Sequence, residues 1–321
     1  PNTDSTVGSY AVAKARSRGK DTPTGHHEIV GFTDLVGWYT FPEVVPVFPE
    51  EQINTLIRRA DLGGVLGNKH ASGEEIIKEY GEDHLNSACP IVYTSADSVL
   101  QIAAHETVFG LDRLYRTCEL AVEIFNDLKV QRIIARPFLG NNKDEFFRTK
   151  NRKDFISPPP IETLCDKVIK SGKKCYGVGK ISDIFGHRGI SESVSGMSDD
   201  KLFDEMLDII VKAKSGDLIF ANFVEFDTLY GHRRDIAGYA RALENFDKKI
   251  PKLFSILNRE DLLVITADHG NDPSFAGTDH TREQVPVLLK NHHLINKCYG
   301  LINFSDIGSL IEDFLGLKTH E

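Results

Sequence analysis

Leu262-Leu263-Val264-Ile265-Thr266-Ala267-Asp268-His269-Gly270-Asn271-Asp272 begins as a strand and ends as chemistry. Its first five residues are apolar or β-branched and read as a short buried strand. With only Ala267 as spacer the run breaks into a carboxylate, an imidazole, a glycine and two further polar residues. In an open α/β sheet such groups gather beyond the carboxyl ends of the strands. Upstream, Asp217–Phe223 (DLIFANF) is a second apolar strand, and Asp227-Thr228-Leu229-Tyr230-Gly231-His232-Arg233-Arg234-Asp235 follows it at the same end. Further strands are expected at Lys174–Val178 and Val285–Leu289. Helices are expected at Lys201–Ala213, at Ile236–Leu257 as one long element, and at Ile307–Phe314. This alternation predicts an α/β fold with a mostly parallel sheet flanked by helices.

The segment from Gly37 to Pro160 has strands and helices of its own, at Cys89–Tyr93, Arg132–Ala135, Pro49–Ala60 and Leu111–Phe125. It closes on Ser157-Pro158-Pro159-Pro160, where three prolines can continue neither a helix nor a central strand. The expected organisation is a discontinuous metal-binding core, residues 1–36 with 161–321, and an inserted smaller α/β cap or substrate domain, residues 37–160.

The chain has 321 residues, 40% hydrophobic and 26% charged, the make-up of a globular protein. Its formal charge of −9 argues against a nucleic-acid partner, and no apolar run reaches the ~18 residues of a membrane span. The five cysteines are scattered without a C-x-x-C pair, which suits reduced thiols and a cytoplasmic location. A monomer is the simplest expectation. The first residue is Pro1 and not methionine, which fits a piece of a longer polypeptide.

Asp268, His269, Asp227, His232 and His280 offer two carboxylates and three imidazoles. If neighbouring strands bring the two clusters together, this is an oxygen and nitrogen set suited to Mn or Zn and poorly suited to Ca. Two divalent ions about 4 Å apart are the usual device for clamping the attacking and leaving oxygens of phosphoryl transfer. A single Asp-His pair after a strand is more often a cap. Two such pairs with a third histidine in reach favour a metal centre.

Gly19-Lys20-Asp21-Thr22-Pro23-Thr24-Gly25 is a glycine-bracketed, hydroxyl-rich turn. It reads either as a helix start capped by Thr24 or as the site of a nucleophilic threonine, which a neighbouring metal would have to activate. Arg132–Lys153 holds seven basic residues against two acidic ones, an expected grip for a phosphate through the forks of Arg136, Arg148 or Arg152. Ser95 and Asp97 end one strand and Lys180 ends another. Each is a candidate substrate contact or an ordinary turn residue.

Taken together, GKDTPTGHHE, YTSADSVLQIAAHE, IARPF, GKISDI, FDTLYGHRRD and TADHGNDPSFAGTDHTRE resemble the phosphopentomutase family of the alkaline phosphatase superfamily, from about Ser9 to Gly316. The resemblance implies an alkaline-phosphatase-like core that interconverts ribose or 2-deoxyribose 1-phosphate and 5-phosphate. It implies two Mn²⁺ ions and a sugar bisphosphate as intermediate and activator. By the same resemblance Thr22 carries the phosphoryl group, Asp268 and His269 hold the ion facing it, and Asp227, His232 and His280 hold the other. Arg136, with Arg148 or Arg152, grips the phosphate that does not react, and Ser95, Asp97 and Lys180 touch the sugar phosphate. The family also has a first core strand ending in an Asp-Ser pair, for which Pro1–Gly19 offers no match. The Thr22-side ion is therefore expected to be one carboxylate short. The rival readings are a cofactor-independent phosphoglycerate mutase, a phosphatase of the same superfamily, or a sugar-phosphate-binding protein without turnover.

Overall fold

The structure is a computed structural model of the chain, described here for residues 8–95, 98–294 and 297–317. It divides into two compact units, Pro1–Val36 with Pro158–Glu321, and Gly37–Ser157. The first unit opens with β1 (Ser9–Lys14) and α1 (Thr22–Ile29). The second unit contains α2 (Glu50–Arg59), β2 (Leu66–His70), α3 (Gly73–Ser87), β3 (Ile91–Thr94), β4 (Val99–His105) and α4 (Leu111–Phe125). It ends with β5 (Arg132–Leu139), β6 (Phe147–Arg148) and β7 (Lys153–Ile156). The chain returns to the first unit through α5 (Leu164–Lys170), β8 (Cys175–Val178), α6 (Ile181–Ile184), β9 (Glu192–Val194), α7 (Asp199–Lys212) and β10 (Leu218–Ala221). It finishes with α8 (Ile236–Asp247), α9 (Ile250–Ile256), β11 (Leu263–Ile265), β12 (Val285–Lys290), β13 (Cys298–Asn303) and α10 (Phe304–Phe314).

The first unit holds two sheets, ordered β10-β8-β9 and β11-β12-β1-β13. The three-stranded sheet is wholly parallel, as is the β1–β13 pair. Strand β12 runs antiparallel to both β11 and β1. Residues 266–284 form no helix, and without a crossover helix the chain turns back antiparallel to the strand it has just left. Ala11 and Ala13 of β1 and Val285, Val287 and Leu289 of β12 point to one buried face, where Ile29 of α1 and Phe304 and Ile307 of α10 cover them.

Strand β1, in the segment that offers no match to the family's first core strand, nevertheless lies inside its sheet, between β12 and β13. It leads into Lys14-Ala15-Arg16, so it delivers no aspartate to the site. The long helix expected over Ile236–Leu257 is broken into α8 and α9. Pro251 lacks an N–H and its ring clashes with the carbonyl four residues back, so the helix stops at Asp247 and restarts.

Strands β10 and β11 each have one pairing partner among the described residues. Their outer side chains still share apolar clusters, Phe220 with Val264 on one face and Ile219 and Ala221 with Leu263 on the other. Both strands are only half-buried, in contrast to the buried β8.

The second unit is a mixed sheet ordered β2-β3-β4-β5-β6, with β7 also paired to β5. Every residue of β4 is buried. Leu114, Cys118, Ala121 and Phe125 form the inward stripe of α4 at helical spacing, and Phe48 packs edge-on against Phe125.

Helices α1 and α10 pack so closely that a Cβ at Gly308 would lie 2.1 Å from the Ile29 carbonyl oxygen. Backbone cannot yield as a flexible side chain can. Gly308→Ala is expected to cost about 1–3 kcal/mol of stability, read as a lower midpoint in thermal melting. An unchanged midpoint would mean that the two helices separate without penalty.

Candidate active site

Helix α1 starts at the putting-together point of three segments. Asp21 is its N-cap, accepting hydrogen bonds from Thr24 N at 3.0 Å and Thr24 Oγ1 at 2.8 Å. The cap is therefore Asp21 and not Thr24, and Thr22 becomes the first helical residue. The segment before it is held from both sides. The buried Glu28 carboxylate accepts from Arg16 N at 2.9 Å and Ser17 N at 2.8 Å. Arg282 Nη2 donates to the carbonyls of Ser17 and Gly19, each at 2.9 Å. Lys20 Nζ reaches His280 O at 2.7 Å and Asp279 Oδ2 at 2.6 Å. A Cβ at Gly25 would sit 1.7 Å from Asp268 O, so this helix meets the end of β11 backbone to backbone. The result is Thr22 Oγ1 at 3.2 Å from His269 Nε2.

Asp268 stands beside them. His26 Nδ1 is 3.1 Å from Asp268 Oδ2 and 2.9 Å from Thr22 O. A ring nitrogen carries one hydrogen, and the better-aligned acceptor is Thr22 O, so among the described residues the buried Asp268 Oδ2 has at most a poorly aligned contact with His26. Burial pushes this carboxyl up, but the charges of His26 and His269 outweigh it and hold the group below its usual range. A buried anionic oxygen with an unused lone pair fits a cation.

The second cluster is tighter. Nε2 of His232 and Nε2 of His280 are 3.1 Å apart, and each lies 3.2 Å from an oxygen of Asp227. His232 Nδ1 donates to Thr278 O at 2.6 Å, and His269 Nδ1 to Gly270 O at 3.2 Å. Since a carbonyl only accepts, these bonds leave the Nε2 lone pairs of both rings facing inward. Burial raises the Asp227 carboxyl, but hydrogen bonds from His280 and Asn271 bring it down to about 2. His280 is lowered by burial and raised by more through its bond to Asp227. The rings of His269 and His280 stack at 3.8 Å, and ligand atoms of Asp227, His269 and His280 lie within 4.8 Å of one another. The two clusters thus form one continuous donor set of carboxylates and imidazoles, and it fits divalent ions.

Lys180, in the same unit, is exposed at the end of β8 and precedes α6. In the second unit Arg136 Nε donates to Gln101 Oε1 at 2.8 Å, and Gln101 Nε2 donates to Ser95 Oγ at 3.3 Å. Burial, with repulsion from Arg152 and Arg148, lowers the Arg136 pKa. Arg152 already forms a two-pronged pair with Asp154, both bonds at 2.8 Å. Arg148 Nε and the Tyr93 hydroxyl are both buried, and the Tyr93 pKa is raised by burial against the pull of the neighbouring Arg148 and Arg136. Asp97 lies outside the described residues.

A sequence profile described as the metalloenzyme superfamily matches residues 173–319. Curated relatives include a phosphopentomutase of Chelativorans sp. (strain BNC1), 50% identical over 98% of this chain and 77% of its own length. Another, of Chromohalobacter salexigens, is 50% identical over 97% of this chain and 76% of its own length. The chain belongs to the phosphopentomutase family. It is thereby an enzyme of the isomerase class, an intramolecular phosphotransferase. The fold agrees with a solved structure, the PH0037 protein from Pyrococcus horikoshii, at a TM-score of 0.54 and 13% identity, covering 98% of this chain and 87% of that one. Among the described residues no helix is long and apolar enough to cross a membrane.

Several residues that position the candidate side chains within each unit carry no advance signal. Glu28 reads as a polar helix residue yet is completely buried, and Gln101 reads as one position of an apolar strand. Arg282 sits inside a quoted motif, but its grip on the carbonyls before Thr22 depends on a contact more than 260 residues away in sequence. Both oxygens of Asp21 are used on Thr24, and Asp272 Oδ1 accepts from Ser274 N and Oγ.

His27 of α1 is almost fully buried between Phe32 and Phe185, and burial lowers its pKa to about 4 against the bond it makes to Ile184 O. The unfolded chain titrates this group near 6.5, so it binds the proton first, and stability falls as pH drops from about 6.5 to 4. Denaturant unfolding at pH 7 and pH 4 should show the wild type losing more than His27→Gln, by on the order of 3 kcal/mol. Equal losses would remove His27 from the acid response.

Proposed function

We propose that this chain interconverts ribose or 2-deoxyribose 1-phosphate and 5-phosphate through a phosphothreonine at Thr22. The observation that carries this reading is Thr22 Oγ1, 3.2 Å from His269 Nε2, at the first position of a helix beside a converging carboxylate and imidazole set. A phosphoryl group on that oxygen would meet the positive end of α1. Asp268 and His269 would hold one divalent ion and Asp227, His232 and His280 the other, with Mn²⁺ the expected metal. Bound there, the ions would lower the pKa of the threonine hydroxyl and offset charge on the phosphoryl oxygens. The Asp227 set has three protein ligands and the Asp268 set two, so the first is the tighter site.

In the forward half-reaction the bond from Thr22 Oγ to phosphorus breaks as a sugar hydroxyl bonds to phosphorus, giving a sugar bisphosphate. The bisphosphate then returns its other phosphoryl group to Thr22. The second unit, which we read as the substrate domain, supplies cations to an acidic chain. Arg136, with Arg148 or Arg152, grips the phosphate that does not react, while Ser95, Asp97 and Lys180 contact the sugar phosphate. All five cysteines are unpaired, which supports a cytoplasmic setting.

Incubation with a pentose bisphosphate, followed by phosphopeptide mapping, should find the label on Thr22. Label on Thr24 or on a histidine would overturn the assignment. The same preparation should turn over ribose 1-phosphate and leave 3-phosphoglycerate unchanged, whereas the reverse preference would favour the phosphoglycerate mutase reading.

Arg136→Ala should lower kcat/KM for ribose 1-phosphate by roughly ten- to a hundred-fold, the value of one charge-assisted contact. Mn²⁺ affinity should not change. An unaltered kcat/KM would make this arginine a structural partner of Gln101 and nothing more.

A further inference from the structure

The segments that carry Asp227, His232 and His280 are tied together by two residues with no place in the chemistry above. Asn271 is buried, and its Nδ2 donates to Asp227 Oδ1 at 2.5 Å. Its Oδ1 accepts from Arg234 Nη1, also at 2.5 Å. An arginine can only donate and a carboxylate can only accept, so the amide has one workable orientation. A Cβ at Gly231 would lie 2.5 Å from Asn271 Nδ2, so the backbone closes over the amide and leaves it little room to turn.

Arg234 is itself unusual. It adopts the left-handed region with φ +55°, which a bulky residue seldom holds without compensation. The compensation is visible in its guanidinium, which donates to Gly231 O at 2.9 Å, Gly277 O at 2.5 Å, Asp272 O at 3.1 Å and Asp279 O at 2.6 Å. Its partners belong to the turn that carries Asp227 and His232 and to the loop that ends at His280. His232 Nδ1 adds one more stitch across the same gap, to Thr278 O. One planar fork therefore spans both segments, and all of its acceptors are carbonyl oxygens.

We infer that Asn271 and Arg234 are positioning residues for a divalent ion held by Asp227, His232 and His280. Asn271 occupies one lone pair of Asp227 and thereby sets which way its carboxylate faces. Arg234 fixes Asn271 and the spacing of the two segments. This rests on the metal reading given under the proposed function. Groups that orient metal ligands in this way are typically worth ten- to a hundred-fold in affinity.

The test is calorimetric titration of the full chain with Mn²⁺, paired with thermal melting in the presence of a chelator. Asn271→Leu, close in size but without the amide, should weaken the tighter Mn²⁺ site by roughly ten- to a hundred-fold. Arg234→Lys, which keeps the charge but not the fork, should weaken it as well. In the chelated state the melting midpoint of at least one variant should stay near that of the wild type, because the loss is expected in ion geometry and not in the fold. If Asn271→Leu does not fold, Arg234→Lys carries the measurement. Wild-type affinity in the folded variants would overturn the inference and leave the metal reading standing. Failure of the wild type itself to bind Mn²⁺ would overturn both. Weaker binding accompanied in both variants by an equally large fall of the chelated midpoint would reduce the pair to loop packing and sink the inference.

Discussion

Helix α1 approaches the end of β11 so closely that position 25 has no room for a side chain, with a Cβ there overlapping the Asp268 carbonyl. Everything at the site is arranged around that approach. It sets Thr22 against His269, brings His26 against Asp268, and requires the chain before Thr22 to make a tight entry. That entry is held through its N–H groups by Glu28 and through its carbonyls by Arg282. One turn further on, at Ile29, α1 meets α10 with similarly little space, at Gly308. Two glycines, one in each helix, thus let α1 pack against the chain beyond β11 and against another helix.

The electrostatics follow from that compactness. Two carboxylates with little access to water stand among histidines, and each is held below its usual range against the upward push of burial. The hydrogen bond from His280 steadies the ionised Asp227, and the pKa of His280 rises in return. Nε2 of His232 lies 3.1 Å from Nε2 of His280 in the same small space. Imidazole and carboxylate lone pairs converging in this way are a set that a divalent ion would satisfy. Removing one ligand would leave the others buried and badly paired, so the set is expected to behave as a unit.

Much of this was legible along the chain. LLVIT and DLIFANF announce their strands by apolar runs, and the polar residues that follow each run mark the strand ends, in two different sheets, where the candidate ligands stand. The periodicity of Ile236–Leu257 is helical throughout, yet Pro251 interrupts the backbone bonding that periodicity cannot report. Strand β1 has no apolar run to announce it, because the buried positions of Ser9–Lys14 are the small Ser9, Ala11 and Ala13, and it becomes a central strand only once β12 and β13 flank it. Thr24 has the chemistry of a cap, but Asp21 three residues earlier accepts from both its N–H and its hydroxyl, so the helix starts before Thr24.

By itself, the sequence determined the α/β class, the two working strand ends, the five ligand candidates and the phosphopentomutase motifs, because these depend on local polarity and on residue order. Tertiary structure alone decided the rest. Convergence of Asp227 with His280, the burial of Glu28, the link from Ser95 through Gln101 to Arg136, and the Arg234 fork all join residues distant in sequence. Such contacts depend on strand order and on the unyielding volume of packed backbone, and neither is encoded in any one stretch of chain.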